Sequence, residues 1–191
     1  MKAIALILIL IIALGAAIGS EFLFQEIDEA IYPQEYAEEV SKYSKEYNIP
    51  EYLIYSIIKV ESNFDPLAES SAGARGLMQM TEKTFNWLTG SSHLCEYLPF
   101  DALYDPDVSI RYGTYYLNYL FKRFDYNTDI VITAYNAGET TVREWLNDPE
   151  YSDGNGGLSR IPFAETRSYV KKVNWAIKKY KEIYYDKGVL A

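Results

Sequence analysis

Cysteine, histidine and basic charge are what this sequence has least of. With one cysteine, Cys95, no internal disulfide can form, and one cysteine beside one histidine, His93, is too small a donor set for a structural zinc site. Cys95 is expected to serve as a small packing residue. Basic residues number 18 against 27 acidic ones, for a formal net charge of -9. No basic stripe is available to collect phosphates, which argues against nucleic acid as a partner. Convincing apolar–polar alternation is also missing, so the expected fold class is mostly α. At 191 residues the chain supports one domain with a real core, whereas two would be cramped.

Apolar sequence is plentiful at the start. Residues 1–20, MKAIALILILIIALGAAIGS, hold one lysine and then an uninterrupted apolar run, read as a signal peptide or membrane anchor and set aside from the fold. Small residues at Ala17 and Gly19 fit a cleavage site. Yet a run of about eighteen apolar residues, prolonged by Phe22, Leu23 and Phe24, nearly suffices to span a bilayer. The reading leans to an uncleaved anchor that leaves the domain outside the cytoplasmic membrane. An acidic linker is expected over 21–33, the folded domain over 34–185 and a short tail over 186–191.

Helical spacing dominates the folded part. Tyr36, Val40, Tyr43 and Tyr47 mark an amphipathic helix that Asn48 stops, and Pro50 opens the next one. In that second helix Ile54, Ile57 and Ile58 recur on one face. At about 100° per residue, Glu61 returns to within about 20° of Ile54 after two turns. A carboxyl aimed the same way as isoleucines is poorly solvated, which raises its pKa and suits it to general acid catalysis. Asn63 and Asp65-Pro66 end the helix directly after it, so Glu61 is expected at the mouth of a loop. The residues alone also allow a structural role, with Glu61 paired to Arg75 or hydrated.

A loop over 64–80 follows, in which Gly73 and Gly76 are expected to let backbone approach another group closely. Thr81 caps a short helix through Trp87. Asp105-Pro106 starts a long helix whose buried stripe is Ile110, Gly113, Leu117, Leu120 and Phe124. Thr128 or Asp129 caps a helix that Gly138 terminates, and another short helix spans Thr140 to Leu146. Residues 147–160 read as a flexible loop. The last helix starts near Phe163 and presents Lys171, Lys172, Lys178, Lys179 and Lys181 as a solvated face near its C-terminus.

Three blocks in order carry a more specific message: Glu61-Ser62 followed by Gly73-Ala74-Arg75-Gly76-Leu77-Met78-Gln79, then Ala134-Tyr135-Asn136-Ala137-Gly138, then the stretch IPFAETRSYV from Ile161 to Val170. They resemble the catalytic domain of the soluble lytic transglycosylases, lysozyme-like enzymes that cleave bacterial peptidoglycan. The resemblance runs from about Ile31 to Tyr184. It implies that 34–185 is a single lysozyme-like catalytic domain outside the cytoplasm, at the cell envelope. Glu61 matches the catalytic acid of the family, and Ser70, Gln79, Tyr135, Asn136 and Glu165 match its substrate-binding positions. Tyr135 is implied to place its hydroxyl by the glutamate, and Glu165 to be a second acid of the cleft.

The implied chemistry uses one carboxyl where most glycosidases use two. Glu61 protonates the β-1,4 glycosidic oxygen between N-acetylmuramic acid and N-acetylglucosamine, the substrate's N-acetyl group assists at the anomeric carbon, and Glu61 takes back the proton of the C6 hydroxyl. The product is a 1,6-anhydromuramoyl end. No metal or organic cofactor is implied, the expected partner is the peptidoglycan glycan strand, and the chain is expected to act as a monomer, with membrane association through residues 1–20. Two alternatives stand beside this reading: a hydrolase of goose-lysozyme type on the same scaffold, and a wall-binding or assembly module without turnover.

Overall fold

The computed structural model describes residues 25–90 and 93–186. The apolar run of residues 1–20 and most of the expected tail lie outside the described residues. Helices α1 (Ala37–Tyr47), α2 (Glu51–Glu61), α3 (Glu82–Leu88), α4 (Pro106–Arg123), α5 (Thr128–Ala137), α6 (Glu139–Asn147) and α7 (Ala164–Tyr180) follow one another, with a 3₁₀ turn over Phe100–Tyr104 and a π turn over Lys181–Tyr185. The described residues contain no strand, only isolated bridges such as Arg75 with Met80 and Ser152 with Leu158.

The organising element is α2. Leu53, Ile54, Tyr55, Ser56, Ile57 and Ile58 are all buried, so this helix is apolar around most of its circumference and sits inside the domain. It packs chiefly on α7, while α4 carries α1, α5 and the 3₁₀ turn. Helix ends follow local chemistry. Asn48 adopts left-handed backbone to cap α1, and Asp105 accepts from the amides of Asp107 and Val108 ahead of Pro106. The cap of α5 is Asn127, whose side chain accepts from the Ile130 amide, one residue before the expected Thr128. An asparagine there satisfies an end-group that Thr128, already helical, cannot reach.

Three other expectations give way. Residues 25–31, read as linker, are helical, and the segment is fastened to the far end of the chain: Asp28 pairs with Lys179, and the Tyr180 and Tyr184 hydroxyls donate to the carbonyls of Pro33 and Tyr32. Cys95 is exposed instead of packed. The close approach expected at both loop glycines is met only at Gly76, at φ +76°, where a Cβ would stand 2.0 Å from the Leu103 carbonyl oxygen; Gly73 meets nothing within 4 Å. Among the described residues no helix is long and apolar enough to cross a membrane.

Candidate active site

Glu61 is the last residue of α2, and the helix stops there because Asn63 and Phe64 both turn into left-handed backbone, at φ 51° and 68°. Ser62 pins this corner to the following loop, its hydroxyl 2.8 Å from the Leu77 carbonyl oxygen. Glu61 is half-buried, and burial pushes its pKa up to about 7, against a partial pull downward from the Tyr169 hydroxyl that donates to Oε1 at 2.7 Å. Its place at a helix C-terminus adds to the penalty on the charged form. Among the described residues no cation relieves it. Arg75, the partner a structural role would require, instead pairs with Glu69 and Asp101 and lies over the Phe100 ring.

Two tyrosines frame the acid. Burial, and next the charge of Glu61, push the hydroxyls of Tyr135 and Tyr169 well above the ordinary tyrosine value, so both remain protonated donors. Tyr135 lies within electrostatic reach of Glu61 but donates to the Met78 carbonyl oxygen at 2.9 Å. The direct hydrogen bond to Glu61 comes from Tyr169 on α7, a residue the sequence reading passed over. Its signal was available, since it stands one helical turn beyond Glu165 in the third block.

The loop between α2 and α3 is held by its own hydrogen bonds. Ser70 is exposed, and its hydroxyl oxygen accepts from the Ala74 amide at 3.0 Å, closing a turn. The Gln79 side-chain nitrogen donates to the carbonyls of Ala68 and Gly76, both at 3.0 Å, with Gln79 itself at φ 47°. Arg75 and Met80 exchange both backbone hydrogen bonds at 3.1 Å. Asn136 is half-buried in the last turn of α5, and Glu165 is exposed in the first turn of α7; neither side chain makes a hydrogen bond among the described residues. The structure thus brings Glu61, Tyr135 and Tyr169 together and puts Ser70 in an outer turn.

A small cavity of about 40 Å³ is lined by Gln79, Met80, Thr81, Thr84, Tyr116 and Tyr135. Thr84 and Tyr116 also line a larger one of about 430 Å³, which reaches Trp87 and the α5–α6 corner. Glu61 lines neither; Tyr135, within electrostatic reach of it, lines the smaller one. Among the described residues no group of three or more His, Cys, Asp or Glu side chains is placed to hold a metal ion. Chemically, a carboxyl poised between its two protonation states, with a neutral hydroxyl donor on it, can deliver a proton and take one back.

Comparisons with known proteins agree on where this arrangement belongs. The soluble lytic murein transglycosylase of Escherichia coli K12 is 33% identical over 169 residues, covering 88% of this chain and 26% of the relative. Membrane-bound lytic murein transglycosylase C of Klebsiella pneumoniae is 34% identical over 162 residues, covering 74% of this chain and 45% of the relative. The chain therefore spans between a quarter and a half of the length of these relatives. Among solved structures, the 70 kDa soluble lytic transglycosylase of Escherichia coli superposes with a TM-score of 0.75 at 33% identity, over 84% of this chain and 26% of that one. An inactive glutamate-to-glutamine mutant of the Pseudomonas aeruginosa enzyme superposes with a TM-score of 0.69 at 30% identity, over 80% of this chain and 25% of that one. The helical domain is thus lysozyme-like, and because the family model of the transglycosylase SLT domain matches residues 38–155, the chain belongs to that family.

Proposed function

We propose that the chain is a lytic transglycosylase that cleaves the β-1,4 bond between N-acetylmuramic acid and N-acetylglucosamine in peptidoglycan, with Glu61 as the single acid and base and a 1,6-anhydromuramoyl end as product. The observation that carries the reading is Glu61 itself, a half-buried carboxyl raised to about 7 and bonded by Tyr169. Near neutrality about half of such groups hold a proton to give. Once the proton has gone to the leaving oxygen, the carboxylate keeps the Tyr169 hydrogen bond and is basic enough to accept the C6 hydroxyl proton as that oxygen closes on the anomeric carbon.

A one-carboxyl route is supported by the surroundings of Glu61, since among the described residues no other carboxylate figures among the groups that shift it, and by the commitments of two other acids of the domain. Glu69 is held by Arg75 and Tyr104, and Glu139 by Arg123, Arg143 and Tyr119, so both serve as ionised structural partners. Assistance by the substrate's N-acetyl group fills the place of a second carboxylate. Gln79, with a cavity face beside Tyr135, and Asn136 are read as sugar contacts; Glu165, one turn above Tyr169, is read as a second cleft acid, and Ser70 as a contact at the outer rim. Such an activity belongs outside the cytoplasm, at the cell envelope; the chain is read as a monomer, either anchored through residues 1–20 or released by cleavage there.

The test is digestion of purified sacculi with mass spectrometry of the products. Products lighter by one water than hydrolysed muropeptides are expected, and Glu61→Gln is expected to retain its circular dichroism while releasing nothing. Products of hydrolysed mass would assign a lysozyme-type reaction instead, and retention on sacculi without release would assign a binding module.

A further inference from the structure

The outward side of α7 carries a strip of one charge on a chain with an excess of the other. Between Thr166 and Lys181 stand Arg167, Lys171, Lys172, Lys178, Lys179 and Lys181, six of the chain's 18 basic residues, with no acid among them, while the whole chain carries -9. A surface kept soluble by charge mixes the two signs, so a basic strip on an acidic chain calls for an anionic partner. Acids from other elements meet it at its end and flank. Asp28 pairs with Lys179 at 3.4 Å, Glu182 reaches Lys178 and Lys179 at 3.7 and 3.8 Å, and Asp129 accepts from the Asn174 amide. Lys171 and Lys172 are exposed and pair with no acid among the described residues.

Trp175 stands in the same strip, one turn beyond Lys171. It is 54% exposed, with the ammonium groups of Lys178 and Lys179 at 5.5 and 5.9 Å from its ring. An indole with an apolar body and a donor tip, set among lysines, suits the boundary between lipid headgroups and acyl chains. At about 100° per residue, Lys171, Trp175 and Lys178 fall within about 60° of one another, whereas Tyr169 lies about 160° from Lys171. The strip therefore faces away from Glu61, and covering it leaves the site open.

Connectivity says which anionic surface is near. Residues 25–31 are fastened beside the end of α7 through Asp28 and Lys179, and the apolar run read as an anchor ends at Ser20. The five residues from there to the start of that segment extend at most about 18 Å. An anchored chain thus keeps this end of α7 within reach of headgroups, where juxtamembrane lysines are drawn to anionic lipid. We propose that the outward face of α7, through Lys171, Lys172, Trp175 and Lys178, docks on an anionic phospholipid bilayer. The helix then lies along the surface and holds Glu61 on its far side, on the order of 15 Å from the headgroups, a helix radius plus one interaxial spacing. The proposal rests on residues 1–20 being an anchor and is independent of the reaction at Glu61.

The test uses the full chain reconstituted into two kinds of vesicle, phosphatidylcholine alone and phosphatidylcholine mixed with phosphatidylglycerol, so that the anchor is common to both. Acetylation by a membrane-impermeant reagent is followed lysine by lysine by mass spectrometry, relative to the exposed Lys45 and Lys122 on other helices. Lys171, Lys172 and Lys178 are expected to react about fivefold more slowly in the mixed vesicles, an effect that fades in high salt. Brominated lipid chains are expected to quench Trp175, read as the difference from Trp175→Phe, in the mixed vesicles only. The quenching is expected to vanish in the triple variant Lys171→Gln, Lys172→Gln, Lys178→Gln, whose circular dichroism is unchanged. A chain that floats with both vesicles but labels equally in them, or quenching that survives the triple variant, would overturn the docking. Failure to float with neutral vesicles would remove the anchor reading and the proposal with it. Protection of the same lysines by purified sacculi and not by vesicles would assign the face to the wall and overturn the proposal too.

Discussion

A carboxyl moved from 4.5 to about 7 by burial is a group on which folding and reactivity pull in opposite directions. The folded-state value lies above the unfolded one, so the stability tied to Glu61 is complete below about pH 4.5 and falls as pH rises through about 7. Glu61→Gln removes that loss. The variant is expected to be more stable than the natural chain at pH 8, by up to about 3 kcal/mol, and to show no such gain at pH 4, as thermal unfolding at the two pH values will show. Reactivity has the opposite interest: only the protonated form can act as the acid, so kcat/KM on soluble murein fragments is expected to fall on the alkaline side of about pH 7. Tyr169→Phe removes the donor that favours the carboxylate. Its alkaline limb is expected at higher pH than the natural chain's, with kcat down roughly 10- to 100-fold because the acid is no longer oriented.

At the scale of elements, the site depends on a loop that has no regular structure yet little freedom. Its shape is fixed where it passes the 3₁₀ turn and α4: Gly76 lies against the Leu103 carbonyl, the Ser109 hydroxyl oxygen accepts from the Met78 amide at 3.2 Å, and Met78 fills the space beside Gly113. A methyl group at Gly76 collides with backbone and also sits at positive φ, so neither a rotamer change nor a small shift relieves it. Gly76→Ala is expected to cost about 3 kcal/mol in urea unfolding and to lower activity beyond the stability loss, because Met78 and Gln79 move with it. The matching change at Gly73, where a Cβ meets nothing within 4 Å, is expected to cost clearly less, through backbone conformation alone. The loop's role is therefore to hold Tyr135 through Met78 and to wall the small cavity through Gln79.

Across the whole molecule, the two ends of the described chain close on each other. The segment before α1 packs against the end of α7 through Tyr32 edge-on to Tyr180 at 5.6 Å, two tyrosine hydrogen bonds to its carbonyls and the Asp28–Lys179 pair. Since α7 also carries Tyr169, this clasp steadies the helix that orients the acid. Deleting residues 1–36 is expected to lower Tm by on the order of 5–10 °C relative to deleting residues 1–24, a difference readable by calorimetry, as the loss of two half-buried hydrogen bonds and an aromatic contact implies.

How much of this was legible beforehand depends on range. Helix placement, the caps at Asn48, Thr81 and Asp105, and the apolar company of Glu61 are set by neighbours within a turn or two, so periodicity and end-group chemistry suffice to read them. The resemblance of three separated blocks added the residues around the acid. Which tyrosine reaches Glu61, what Gly76 presses against and why residues 25–31 coil into a helix are settled by partners far along the chain, 108 residues away for Tyr169 and 151 for Asp28 and Lys179. By itself the sequence determined a helical domain with one carboxyl on an apolar face; only the packing of α7 across α2 decided that this carboxyl would be half-buried and bonded by a neutral hydroxyl, because desolvation is a property of everything that surrounds a group and no local pattern contains it.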